Sequence, residues 1–307
     1  MKDLIVIGAG PAGLAAAIYG KRAGLDLVVI EKLSPGGQVM NTSEVENYPG
    51  FVDPVPGWEL VSSMENQARR LEAEIISGEI VKIEKNEGEK CFDLFLNDGQ
   101  NHKALSVIIA AGASYKKLDV PGEDKFIGRG VSYCATCDGP FFKDKVTALI
   151  GGGNTALEEA DFLTKFAKKV YLIHRRDQFR GVKLLQKRVL SNNKIEPVYE
   201  TVVTSINGEE NVRSISIKNV KSGDEKSLDV DGVFIFVGIM SNTGFLPREI
   251  LNEKGEVNVD MQMRSSIEGL FAAGDLRKDS RRQIVMAASD GATAALSAYE
   301  YVTDISL

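Results

Sequence analysis

Two cysteines stand two residues apart in "SYCATCDGPFF", residues 132–142. At that spacing Cys134 and Cys137 can share a zinc ion, form a structural disulfide, or cycle between disulfide and dithiol. The 307 residues hold 3 cysteines and 2 histidines in all, which adds only Cys91, His102 and His174 to the pair. A structural zinc site takes four ligands, commonly as two spaced pairs, and no second pair exists here. Three cysteines also fall short of a secreted disulfide framework. In a reducing compartment a CxxC pair is more often a redox centre, so no metal is expected. Asp138 adjoins the pair and is the nearest side chain able to carry a proton to or from a thiol. It is also a common turn residue ahead of Gly139-Pro140. Cys91, in "KCFDLFL", sits in a strand-like alternation and reads as a structural thiol.

Electrons for such a pair must come from a carrier, and two glycine clusters indicate where carriers bind. The first lies in "DLIVIGAGPAGLAAAIYGKRAGLDLVVIEK". Leu4 to Ile7 and Leu27 to Ile30 have the length and apolar content of buried strands, and Ala12 to Arg22 is rich in helix formers. Gly8, Gly10 and Gly13 fall between strand and helix at GxGxxG spacing. The first permits a tight turn, the second lets backbone approach a pyrophosphate, and the third permits close helix–strand packing. The pyrophosphate would sit on the helix N-terminus. Glu31 ends the second strand, where a carboxylate accepts hydrogen bonds from a ribose.

The layout recurs in "VTALIGGGNTALEEADFLTKFAKKVYLIHRR". Val146 to Ile150 and Val170 to Ile173 are strand-like, and Thr155 to Ala167 reads as a helix. Gly151, Gly153 and Ala156 stand at GxGxxA spacing. The second strand now ends in His174, Arg175 and Arg176, with Arg180 a turn later. A carboxylate there suits a free 2′-hydroxyl; arginines there suit a 2′-phosphate. The second site is therefore expected to prefer NADPH over NADH. Two dinucleotide sites in one chain suggest a flavoprotein that takes hydride from a nicotinamide.

Composition agrees with a soluble globular chain large enough for two domains: 43% hydrophobic, 26% charged, with 37 Lys and Arg against 43 Asp and Glu. The net charge of −6 argues against a nucleic-acid surface. No apolar run reaches membrane-span length, and the N-terminal run breaks into glycines without a signal-peptide cleavage site. A cytoplasmic protein is expected.

Taken together, "GAGPAG" with "IEK", "GGQV", "ENYPGF", "VSYCATCDGPFF", "GGGNTALEEA", "HRRDQFR" and "GLFAAGD" with "RQIVMAASDGATAAL" resemble the low-molecular-weight, bacterial-type thioredoxin reductases along nearly the whole chain. The resemblance implies an α/β architecture with two Rossmann-like domains. A discontinuous FAD domain (residues 1–113 and 245–307) would flank an inserted NADPH domain (114–244) that carries the CxxC. Turn-rich linkers are expected near "LDVPGEDK" and "GIMSNTGFLP", and the family rotates the inserted domain between two orientations. FAD contacts carry over to Gly8, Gly10, Ala12, Gly13, Glu31, Gly37, Gln38, Asn47, Asp275, Arg282, Gln283 and Ile284. NADPH contacts carry over to Gly151, Gly153, Asn154, Thr155, His174, Arg175, Arg176 and Arg180. Cys137 would receive electrons from the flavin, Cys134 would attack the thioredoxin disulfide, and Asp138 would handle the thiol protons. Arg129, Phe141 and Phe142 would contact thioredoxin, although one of the two aromatics could belong to the core. A homodimer is implied. The rival enzyme is a relative using ferredoxin or another donor in place of NADPH; the non-enzymatic rival is a nucleotide- or zinc-binding regulatory protein.

Overall fold

The computed structural model describes residues 1–42 and 44–306; residue 307, the end of the expected second FAD segment, lies outside them. The chain begins with β1 (Lys2–Ile7), α1 (Pro11–Arg22), β2 (Leu27–Glu31) and α2 (Gly57–Arg70). Four strands follow: β3 (Glu74–Ser77), β4 (Ile80–Asn86), β5 (Cys91–Leu96) and β6 (Asn101–Ile109). Next come β7 (Ala113–Tyr115), β8 (Val131–Ser132), α3 (Ala135–Asp138), β9 (Val146–Gly151), α4 (Asn154–Leu163) and β10 (Lys169–Ile173). Then α5 (Lys183–Leu190) precedes β11 (Ile195–Val198), β12 (Thr201–Gly208), β13 (Val212–Asn219), β14 (Glu225–Asp229) and β15 (Gly232–Phe236). The chain closes with β16 (Ile239–Ser241), which pairs with β7, then β17 (Leu270–Ala272) and α6 (Ile284–Ser306).

Two compact units result. One contains Met1–Ser114 with Met240–Leu307, the other Tyr115–Ile239. Residues 240–244, expected in the inserted domain, bond within the first unit. Asn242 donates to the carbonyls of Gly112 (3.0 Å) and Ala111 (2.8 Å), and Thr243 Oγ1 to that of Gly255 (2.7 Å). "LDVPGEDK" lies inside the second unit.

In the first unit β1 lies between β2 and β6, in the order β3-β2-β1-β6-β5-β4, with β17 also on β6. β3, β2, β1, β6 and β17 run parallel; β5 and β4 are antiparallel additions. A parallel strand covered on both faces reads as an unbroken apolar run. That is why "LIVI" lacks alternation: Leu4 and Val6 enter the core beneath α1 and α6, while Ile5 and Ile7 enter the opposite core with Phe92 and Leu94. α1 is buried nearly all round because α6 packs on it backbone to backbone. A Cβ on Gly291 would lie 1.9 Å from the Ala12 carbonyl oxygen.

The second unit repeats the pattern with five parallel strands, β11-β10-β9-β15-β8. Leu149 of β9 packs toward α4, and Ala148 and Ile150 toward the antiparallel meander β12-β13-β14. α4 is shorter than the expected Thr155–Ala167. Thr164 caps it with its hydroxyl on the Asp161 carbonyl (2.6 Å), and residues 165–167 close as tight turns on Phe162 and Leu163. Among the described residues no helix is long and apolar enough to cross a membrane.

Candidate active site

The second unit holds the cysteine pair. Cys134 and Cys137 are joined as a disulfide, with Cα atoms 5.3 Å apart, across the start of the four-residue helix α3. Ser132, the last residue of β8, fixes this turn. Its Oγ accepts the Cys134 N–H at 3.0 Å and lies 3.2 Å from the Cys134 carbonyl oxygen. The Asp138 N–H donates to the same carbonyl at 3.1 Å. Burial pushes the Asp138 carboxyl above the usual aspartate range, and a hydrogen bond from Ser132 offsets part of that rise. Its Oδ1 is buried without a hydrogen-bond partner. The pair thus adjoins a carboxyl whose proton is retained toward higher pH than usual, a property suited to proton exchange with thiols.

The first glycine turn forms the N-terminus of α1. Gly8 has φ +100°, and a Cβ there would meet the Ala110 carbonyl oxygen at 2.5 Å. Gly10, the N-cap, faces open space, while Gly37 abuts it with φ +58°. Ala12 lies buried against Gly274 and Gly291. Glu31 accepts the N–H groups of Ala9 (2.6 Å) and Leu33 (2.9 Å). Distant segments of the chain meet here. Asn47 Nδ2 donates to Gln283 Oε1 at 3.1 Å, and Ile284, first residue of α6, packs with Val39, Val45 and Tyr48. Gln38 is exposed in the short turn after Gly37. Burial raises the Asp275 carboxyl, against lowering by Arg282 and Ser280. Arg282 has φ +53° and a buried Nε with no partner. Open space at Gly10 and an unsatisfied guanidinium donor fit an anionic dinucleotide such as FAD.

The second turn fits a dinucleotide too. Gly153 caps α4 and faces open space. Asn154 holds the following loop through the Val182 N–H (2.8 Å), and Thr155 is exposed. The His174 ring lies against Gly152, its Nε2 buried and unpartnered. Burial, then the charges of Arg180, Arg176 and Arg175, lower its pKa. The three arginines are exposed, and among the described residues none forms an ion pair. A cluster of unneutralised guanidiniums beside an unsatisfied imidazole suits a phosphate.

Arg129 is exposed, and Phe141 is half-buried. Phe142 is the core member of the aromatic pair: it packs edge-on against Phe234 at 5.1 Å and fills the place where Gly232 lacks a side chain. Cys91 lies in the first unit, its thiol pushed up by burial. Two groups were not legible as site residues in the sequence. Ser132 has a weak signal, a serine two residues ahead of a turn. The Arg277–Asp290 pair (2.5 and 2.9 Å), which also holds the Gly274 N–H (3.2 Å), has a clearer one: a lone acid in the small-residue run "MAASDGATAA" must find a partner if buried.

The family model of the pyridine nucleotide-disulphide oxidoreductases matches residues 2–291. The thioredoxin reductase of Treponema pallidum is 43% identical over 300 residues, covering 98% of this chain and 97% of its own. That of Bacillus subtilis is 43% identical over 305 residues, covering 99% and 95%. The crystal structure of the Streptococcus pyogenes thioredoxin reductase matches with a TM-score of 0.95 at 44% identity, covering 99% of each chain. With two dinucleotide turns, a CxxC disulfide and full-length likeness to these proteins, the chain belongs to the pyridine nucleotide-disulphide oxidoreductases, within the thioredoxin reductase family.

Proposed function

We propose that the protein reduces the disulfide of thioredoxin with electrons from NADPH, by way of FAD and the Cys134–Cys137 disulfide. The observation that carries this is the joined pair beside Asp138, one carboxyl oxygen of which is buried without a partner, in the same unit as the arginine-flanked second turn. The first turn, Glu31, Asp275 and Arg282 would hold FAD; the second turn, His174, Arg175, Arg176 and Arg180 would hold NADPH. When bound, these cofactors supply a two-electron path from nicotinamide to disulfide.

The chain's own groups do the thiol chemistry. The Cys134–Cys137 bond takes up two electrons and two protons and opens to two thiols. The Cys134 thiolate then attacks one sulfur of the oxidised partner, forming a mixed disulfide as the partner's own S–S bond breaks. The Cys137 thiolate attacks Cys134 Sγ, which restores the internal disulfide and releases the second partner sulfur. Two electrons and two protons leave with the partner dithiol. Asp138 accepts a proton from a protein thiol and returns it to a departing thiolate.

Arg129 and Phe141, at the surface near this turn, are the residues proposed to meet thioredoxin. A homodimer and a cytoplasmic location complete the proposal on the strength of the family resemblance. The unpaired arginines favour NADPH over a ferredoxin donor.

The test is an anaerobic titration of purified protein with NADPH and then NADH, followed by thioredoxin. NADPH should bleach the flavin in wild type and in Cys134→Ser and Cys137→Ser alike. Neither variant should reduce thioredoxin, and full reduction by both would sink the assignment.

A further inference from the structure

The turn that leaves β17 is tied to a buried carboxylate on α6. Gly274 has φ +85°, and its N–H donates to Asp290 Oδ2 at 3.2 Å. The same carboxylate takes both prongs of the Arg277 guanidinium, Nε on Oδ2 at 2.5 Å and Nη2 on Oδ1 at 2.9 Å. Asp290 is 5% exposed. Arg277 closes the turn from the other side: its backbone N–H donates to the Gly274 carbonyl and its Nη1 to the Lys278 carbonyl, each at 3.2 Å. Leu276 accepts the Val257 N–H at 3.0 Å, and the Lys278 N–H donates to the Val257 carbonyl at 2.9 Å.

Asp275 lies between these anchors. Both of its chain neighbours are tied, yet its own carboxylate is nearly free. Among the described residues it accepts only the long hydrogen bond of the Ser280 hydroxyl, at 3.4 Å. The backbone around Asp275 is thus fixed while its oxygens keep lone pairs for another donor.

We infer that Asp290, with Arg277, is the positioning residue for Asp275, on the reading above that Asp275 contacts FAD: the pair sets the turn so that the Asp275 carboxylate meets the nucleotide without reordering. Three donors converge on the two Asp290 oxygens, and the planar fork of an arginine matches a carboxylate. An amide would offer one oxygen and turn N–H groups toward the guanidinium. The helix that carries Asp290 has no slack. A Cβ on the next residue, Gly291, would lie 1.9 Å from the Ala12 carbonyl oxygen, and one on Gly274 would lie 3.0 Å from the Ala12 methyl. Adjacent residues of α6 therefore set α1, behind the first glycine turn, and the Asp275 turn at once. Ordering both before the nucleotide arrives removes an entropic cost from its binding.

The test measures the FAD dissociation constant of the purified protein by equilibrium dialysis, with its melting temperature at saturating FAD recorded separately. Asp290→Asn keeps the shape and removes the charge; it should raise the dissociation constant about ten- to a hundredfold, the worth of one to two charged hydrogen bonds. Arg277→Lys keeps the charge and removes the fork, and should raise it about tenfold. If Asp290→Asn does not fold, Arg277→Lys carries the comparison. In an Asp275→Ala background either substitution should weaken FAD binding no further, because its effect passes through Asp275. A lowered melting temperature with an unchanged dissociation constant overturns the positioning role, and so does a full additional loss in the Asp275→Ala background, the result a merely structural ion pair would give. Wild-type protein that binds no FAD overturns instead the assignment of the first turn.

Discussion

In the first glycine turn the helix residue that faces the strand is Gly13; in the second it is Ala156. A Cβ on Gly13 would lie 1.8 Å from the Gly8 carbonyl oxygen, so helix and turn touch through backbone. In the second turn the Ala156 methyl occupies that place, and Gly151 must be bare, since its Cβ would lie 2.5 Å from that methyl. A similar exchange occurs one residue on. Ala9 carries a buried methyl and gives its N–H to the Glu31 carboxylate at 2.6 Å. At the matching place a Cβ on Gly152 would lie 2.3 Å from His174 Nδ1. A carboxylate at the strand end draws the turn in by a hydrogen bond. An imidazole in the same position lies against the turn and needs bare backbone. The strand-end residue, proposed to read the nucleotide, thus also determines which turn residue may carry a side chain.

The largest expected effect tests the helix contact. Gly13→Ala should cost about 3 kcal/mol or more, the upper range for overpacking, and abolish flavin retention. Ala156→Gly should cost only about 1 kcal/mol, a helix-propensity loss. Thermal unfolding with flavin absorbance reads both, and equal losses would break the contrast. Gly10→Val belongs beside them: its side chain would enter open space, so the protein should fold yet purify colourless.

The strand ends come next. Arg175→Ala with Arg176→Ala should raise KM for NADPH by about a hundredfold, from two charged hydrogen bonds that add imperfectly. KM for NADH should stay nearly constant; parallel losses would assign the arginines to folding. Gly152→Ala should displace the His174 ring and weaken NADPH binding about tenfold. Adding His174→Ala should relieve the crowding, visible as recovered melting temperature, whereas Ala9→Gly in the first turn should leave NADPH binding unchanged.

The smallest effect is on pH. His174 has a lowered pKa, so the unfolded chain takes up its proton first as pH falls. Its contribution to stability is present above the usual histidine value of about 6.5 and is lost as pH falls through and below it. Urea unfolding of nucleotide-free protein should show this acid loss, and His174→Gln should lack it. An identical pH profile in the variant would remove His174 as the cause.

Both turns were legible in the sequence because their signals are local: glycine spacing, an apolar run on either side, and a charge at the strand end. The contacts that complete them were not. Asn47 meets Gln283 only when α6 folds back, and Arg277 finds Asp290 by the same closure. The burial of Phe142 depends on the bare surface of Gly232, on a different strand. The stop of α4 at Leu163 depends on Thr164, whose hydroxyl Asn192 also contacts from beyond α5. Ser132 carries little signal because a serine near a turn is common, and only its hydrogen bonds with the Cys134 backbone set it apart.

The backbone contact between Gly291 and Ala12 has a consequence for synthesis. A ribosome delivers β1 and α1 long before the helix α6 that packs on α1. At about 5–20 residues per second, the interval is on the order of tens of seconds. During that time the alanine-rich face of α1 has no α6 to cover it, while Tyr115–Ile239 is already complete in the nascent chain. The second unit can therefore finish first, and the first unit closes only after α6 has emerged. A stalled or truncated chain lacking α6 would present the unclosed α1 face to chaperones, with its redox turn already made.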